Sequence, residues 1–95
     1  MPGAVRLGDT SCGHGCFPGR ANTSASTNVF INGRGAHRVG DSWATHCCGP
    51  VCHGGSLSAG SPNVFVNGRA LGRIGDPISC GDTCCTGSPN VIVNG

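Results

Sequence analysis

The stretch from Thr27 to Asp41, TNVFINGRGAHRVGD, recurs as PNVFVNGRALGRIGD from Pro62 to Asp76, and again in shortened form as PNVIVNG from Pro89 to Gly95. Such self-similarity marks a fold built from copies of one supersecondary unit, each too small to bury its apolar face alone. Every copy holds a β-branched or aromatic run, Val29-Phe30-Ile31, Val64-Phe65-Val66 or Val91-Ile92-Val93, followed by Asn-Gly. Because Asn and Gly tolerate positive φ angles, the pattern predicts tight hairpins at Asn32-Gly33, Asn67-Gly68 and Asn94-Gly95.

In the first two copies the return strand ends in Arg38-Val39-Gly40-Asp41 and Arg73-Ile74-Gly75-Asp76. The third copy stops on its turn, and the matching piece stands at the other end as Ala4-Val5-Arg6-Leu7-Gly8-Asp9. The N-terminal segment is therefore expected to pair with the C-terminal strand. This closes three pseudo-three-fold β-hairpins into one small all-β domain over residues 1–95, shaped as a cone or pyramid. A plain antiparallel meander would not need this circular completion. The wide end of such a ring shows quasi-three-fold symmetry and suits a three-fold partner, because one chain then contacts all three subunits alike. Apolar side chains at Val29, Val64 and Val91 or their neighbours are expected there.

The connections from Thr10 to Thr27, Ser42 to Ser61 and Pro77 to Ser88 are long for a compact domain, and long structureless loops are functional or tied down. With 18 Gly, 6 Pro, one Trp, three Phe and no Tyr, a thick core is not available to hold them, and domains this small lean on metals, disulfides or partners. Eight Cys and four His are the material for that. The N-terminus MPGAVRLGD lacks the charged and apolar regions of a signal peptide. Synthesis in a reducing cytoplasm is thus expected, with any export by another route, which favours thiolate metal ligands over disulfides.

Five residues after Asp9 stands His14, five after Asp41 stands His46, and four after Asp76 stands Cys80. Three repeats thus offer one borderline or soft ligand each, and a ring would gather them on its axis. His53 is chosen as the fourth donor of the tetrahedron that Zn²⁺ prefers, and a closed His₃Cys set marks a structural ion, not a catalytic one. Cys47, Cys48 or Cys52 could replace either histidine of the second repeat, and imidazole with thiolate also admits Fe, Co or Ni. His37, on a return strand, is read as a packed or hydrogen-bonded residue. Cys12, Cys16, Cys84 and Cys85 could form disulfides, build a second thiolate site or fill space as small apolar groups.

Catalysis is not expected. His46 adjoins Cys47 and His53 adjoins Cys52, but a nucleophile also needs an oriented base, an oxyanion site and a concave pocket. Asp9, Asp41 and Asp76 all sit in the repeated Gly-Asp and read as turn chemistry. A zinc-dependent nucleic-acid module is the alternative to a structural role. It finds no Cys-x-x-Cys knuckle, no stacking aromatics and no clustered cations, since the six arginines are spread along the chain and lysine is absent. No apolar run approaches the roughly 18 residues of a membrane span.

Over essentially its whole length the sequence resembles the PAAR-repeat proteins. The eponymous tetrapeptide is not intact; its places are held by Gly3-Ala4-Val5-Arg6, Gly35-Ala36-His37-Arg38 and Ala70-Leu71-Gly72-Arg73. The flanks are closer, with Gly-Ser-Pro-Asn-Val before the turn in two copies and Arg-Val/Ile-Gly-Asp after it. Gly13-His14-Gly15-Cys16-Phe17-Pro18 and His37-Arg38 resemble the phage-like branch. The resemblance implies a conical tip that caps the trimeric β-helical spike of a contractile injection machine, a phage tail or a type VI secretion apparatus. It also implies one zinc near the apex, carried over to His14, His46, His53 and Cys80. One chain per spike trimer, transient contact with a target membrane, no nucleic acid and no small-molecule substrate are the matching expectations. So is a bare tip without a fused toxin, in a virion or translocated by the secretion system.

Overall fold

The computed structural model describes residues 2–93. Among these it contains six strands and no helix. Strand β1 (Phe30–Ile31) pairs with β2 (Arg34–Gly35). Strand β5 (Phe65–Val66) pairs in the same antiparallel register with β6 (Arg69–Ala70). The turns are those the Asn-Gly dipeptides predict, with φ of 54° and 76° at Asn32 and Gly33, and 54° and 77° at Asn67 and Gly68. Positive φ at both central residues matches the twist of the flanking strands. The expected Asn94-Gly95 turn lies outside the described residues, but its strand is paired as anticipated. Ala4 N–H donates to the Val91 carbonyl at 3.0 Å and Val93 N–H to the Pro2 carbonyl at 2.9 Å. The N-terminus thus completes the third unit.

The three units meet at a closed cycle of main-chain hydrogen bonds. Val5 N–H donates to the Gly72 carbonyl at 2.9 Å, Gly72 N–H to the His37 carbonyl at 2.8 Å, and His37 N–H to the Val5 carbonyl at 3.0 Å. These residues hold the same place in each repeat, just before Arg6, Arg38 and Arg73. A pseudo-three-fold axis passing between them satisfies all three buried donors and acceptors, which would otherwise cost stability.

Apolar side chains form two small clusters that share this region. Ala4, Ala36 and Leu71, one residue before the cycle, pack with Ile31, Val66 and Val93 from the hairpins. Val5 belongs to the second cluster, with Trp43, Leu57, Ile78 and Cys84. His37 is fully buried, its ring edge-on to Trp43. Its Nδ1 lies 2.9 Å from the Ser24 carbonyl. Because that oxygen only accepts, Nδ1 carries the proton, and burial holds the imidazole pKa below its ordinary value despite that bond. The packed role expected for His37 is the one observed.

The Gly-Asp pairs do more than turn the chain. Each aspartate caps its own turn and clamps the arginine three residues earlier. The Arg6, Arg38 and Arg73 amides reach Oδ2 of Asp9, Asp41 and Asp76 at 2.7–2.8 Å, and their guanidinium groups add paired bonds to both carboxylate oxygens. Bidentate pairing of this kind fixes geometry as well as adding energy. Three of the six arginines that looked scattered in sequence are members of this repeated device.

The Ser42–Ser61 connection departs from the expected loop. It contains the longest hairpin of the described chain, β3 (Ser42–Cys48) against β4 (Val51–Ser56), with Gly49 at φ 61° in the turn. Its pairing shifts register between Trp43 and His46, a bulge that re-aims the side chains beyond it. The molecule measures 37 × 25 × 21 Å along its principal axes, one long axis and two similar short ones, as a cone requires.

Candidate metal centre

His46 and His53 are direct cross-strand partners on β3 and β4, so their imidazoles start from neighbouring backbone positions on one face. His14 comes from the first connection. There the amides of His14 and Phe17 each donate to the other's carbonyl at 3.0 and 2.9 Å, closing a tight loop with Gly13 just before it and Gly15 inside it, at φ 85° and 56°. A side-chain carbon at Gly13 would stand 2.7 Å from the Phe17 carbonyl oxygen, so glycine is required. Cys80 lies in a turn of the third connection closed by Gly81 N–H donating to the Ile78 carbonyl at 3.0 Å. Gly55 on β4 lets that turn approach; a Cβ there would be 2.9 Å from Ile78 and 3.4 Å from Cys80 Sγ.

These four side chains converge, and their ligand atoms all lie within 4.8 Å of one another. Nε2 of His14 is 3.2 Å from Nε2 of His46 and 3.1 Å from that of His53. Nε2 of His53 is 2.7 Å from that of His46. Cys80 Sγ is 3.9 Å from His46 Nε2. Zinc bonds of about 2.0–2.1 Å to nitrogen and about 2.3 Å to sulfur set tetrahedral edges of roughly 3.3 and 3.6 Å, so the spacing fits such an ion. Protonation agrees. His46 Nδ1 lies 2.7 Å from the Pro18 carbonyl, which fixes the proton on Nδ1 and turns the Nε2 lone pair inward. Desolvation and then the neighbouring imidazoles His46 and His14 hold His53 below its ordinary pKa, which favours the neutral, ligating form.

Two features around the centre carry no repeat signature and were missed in the sequence. The Phe17 ring stacks on His53 at 4.2 Å between centroids and on His14 at 4.8 Å, and meets His46 at 4.9 Å, walling one side with an apolar face. On another side Arg20 reaches Asp82 Oδ2 at 2.8 Å, Cys80 Sγ at 3.2 Å and the Ala44 carbonyl at 2.7 Å. Burial alone would raise the Asp82 carboxyl, but bonds from Ser11, the Thr83 and Gly13 amides and the charge of Arg20 bring it below its ordinary value. A buried guanidinium, held by Asp82, thus faces the sulfur directly.

The remaining cysteines correct the expectation of reduced thiols. Cys12 pairs with Cys85, Cys16 with Cys48 and Cys47 with Cys52 in disulfides. Cys47, Cys48 and Cys52 are thereby removed as substitutes for the histidines. Cys80 and Cys84 are free. Burial pushes the Cys84 thiol up to about 12, so it packs as a small apolar group. Metal-ligand chemistry and disulfides coexist here because they occupy different residues.

A β-module with three units about one axis, and with ligands from all three connections gathered at one point, defines a small protein clasped by a metal-capable His₃Cys set. The PAAR motif family profile matches residues 13–86 and 53–95. The chain belongs to the PAAR motif family, which is associated with the spike tips of contractile injection systems. No curated protein matches the chain.

Proposed function

We propose that the protein is the structural tip that caps a trimeric β-helical spike, one chain per trimer, and helps a contractile injection machine pierce its target envelope. The observation that carries this reading is the three-fold arrangement of exposed apolar side chains. Phe30, Phe65 and Ile92 hold equivalent positions on the hairpins and are 60%, 60% and 47% exposed, and Val29, Val64 and Val91 beside them are over a third exposed. Apolar surface repeated about an axis favours a partner with the same symmetry, since burying one copy buries all three.

The three connections supply stiffness. Short strands joined by long loops would splay under axial load. Here His14, His46, His53 and Cys80 draw the three connections to one point, and the Cys12–Cys85 and Cys16–Cys48 disulfides join the first connection to the third and to the second. A bound ion, for which zinc suits the donors best and iron is the alternative, would supply bonds whose formation contributes on the order of 10 kcal/mol to folding. No catalytic step, nucleic-acid contact or small-molecule substrate belongs to this reading. The working place is a phage baseplate or a type VI spike, with passing contact to the target membrane.

Co-purification with the trimeric spike tests it. One chain bound per spike trimer is expected, with binding lost in Phe30→Ser combined with Phe65→Ser. Three chains per trimer would contradict the symmetry on which the reading rests.

A further inference from the structure

Asp9 and Asp41 each hold two arginines. Besides the clamp from its own repeat, Asp9 Oδ1 accepts from Arg34 Nη2 at 3.2 Å, and Asp41 Oδ1 accepts from Arg69 Nη2 at 3.0 Å. The geometry of the second arginine is the same in both. Arg34 Nε donates to the Leu7 carbonyl and Arg69 Nε to the Val39 carbonyl, each at 2.8 Å. The guanidinium lies over the intervening glycine, so a Cβ on Gly8 or Gly40 would come within 3.5 or 3.1 Å of Nη2. A carbonyl, a bare glycine and a buried carboxylate oxygen thus form a cradle that reads the fork of an arginine.

The third repeat builds the same cradle from Ile74, Gly75 and Asp76. Gly75 has φ 94°, against 87° at Gly8 and 90° at Gly40. Asp76 is 6% exposed and is clamped by Arg73 through the same bonds. Yet Asp76 Oδ1 receives only the Arg73 Nη2 bond, at 2.9 Å, among the described residues. Asp9 Oδ1 receives three side-chain donors, as does Asp41 Oδ1. No described side chain lies over Gly75. In the other two repeats the second arginine directly follows the Asn-Gly turn; in the third, that place follows Gly95.

We propose that Ile74, Gly75 and Asp76 form a binding site for an arginine guanidinium, supplied either by chain following Gly95 or by a partner docked on the adjoining apolar face of Val91 and Ile92. The Ile74 carbonyl takes the Nε–H and Asp76 Oδ1 takes an Nη–H, as at the two filled copies. Arginine is selected over lysine because only a planar fork reaches both acceptors at once.

The test appends one residue after Gly95 and compares arginine, lysine and alanine. The arginine form should melt about 4 °C or more above the alanine form, with lysine clearly below arginine. Its presence should also shift the Gly75 and Asp76 amide NMR signals. In an Asp76→Asn background the advantage of arginine should vanish. Equal melting of the arginine and alanine forms, with unmoved Gly75 and Asp76 signals, overturns the proposal, and this comparison stands even where Asp76→Asn fails to fold. The source is read separately by binding both forms to the trimeric spike. An arginine supplied by the partner predicts roughly tenfold weaker binding of the arginine form, and equal binding rules the spike out as the source. Loss of spike binding by every form bears on the capping role and leaves the guanidinium site to the melting data.

Discussion

Gly72 donates its amide to the His37 carbonyl at 2.8 Å, and it can do so only as a glycine. A Cβ on Gly72 would lie 2.8 Å from Leu57 Cδ2 and 3.3 Å from that same His37 oxygen. The equivalent places in the other repeats carry the side chains of Val5 and His37, both fully buried. Two of the three axial positions are filled, and the third must be empty for the ring to close. Gly72→Ala is therefore expected to destabilise by about 1–3 kcal/mol, the cost of overpacking a tight core. Denaturant melts of wild type and variant check this. An unchanged midpoint would mean that the axis is looser than the distances imply.

The Arg-Asp clamps set the response to acid. Burial alone would raise the carboxyls of Asp9 and Asp41, but bonds from the side chain and backbone of Arg6 and Arg38 hold both below their ordinary values. A carboxyl whose folded pKa lies below its unfolded value near 3.9 stabilises the fold fully above that value, and loses this as pH falls through the folded pKa. Stability should drop below about pH 4. Asp9→Asn and Asp41→Asn should start less stable at neutral pH and lose less between pH 5 and pH 3. Parallel pH profiles for wild type and variants would remove the clamps from that role.

The disulfides should not contribute equally. Cys12 and Cys85 are 73 residues apart, whereas Cys47 and Cys52 are 5 apart. Constraint of the unfolded chain grows with loop length, giving about 4 kcal/mol for the long closure against about 2 kcal/mol for the short one. Cys12→Ser with Cys85→Ser is expected to lower the denaturant midpoint more than Cys47→Ser with Cys52→Ser. The reverse order would place the main effect in native packing.

Much of the ring was legible because the repeat wrote it three times. Asn32-Gly33 and Asn67-Gly68 announced their turns, and Ala4 to Asp9 announced the closure. What appears once was harder to read. The β3–β4 hairpin has no alternation of apolar residues, since its inward positions include His46 and glycines. Its signal was the near-palindrome about Gly49-Pro50, which sets His46 opposite His53 and Cys47 opposite Cys52. Arg20 and Asp82 stand 62 residues apart and belong to no repeated motif, so only folding brings them beside Cys80. Disulfide pairing was hidden for the same reason, because Cys12 and Cys16, close in sequence, go to different connections.

The clasp of three histidines and one cysteine draws all three connections to one point, and metal content tests it most directly. Plasma mass spectrometry of the purified protein should find one equivalent of metal per chain, zinc by preference. His14→Ala and Cys80→Ala should each lose it, with a large fall in thermal stability. A wild-type protein that is free of metal yet folded, and as stable as the metal-loaded form, would contradict the account.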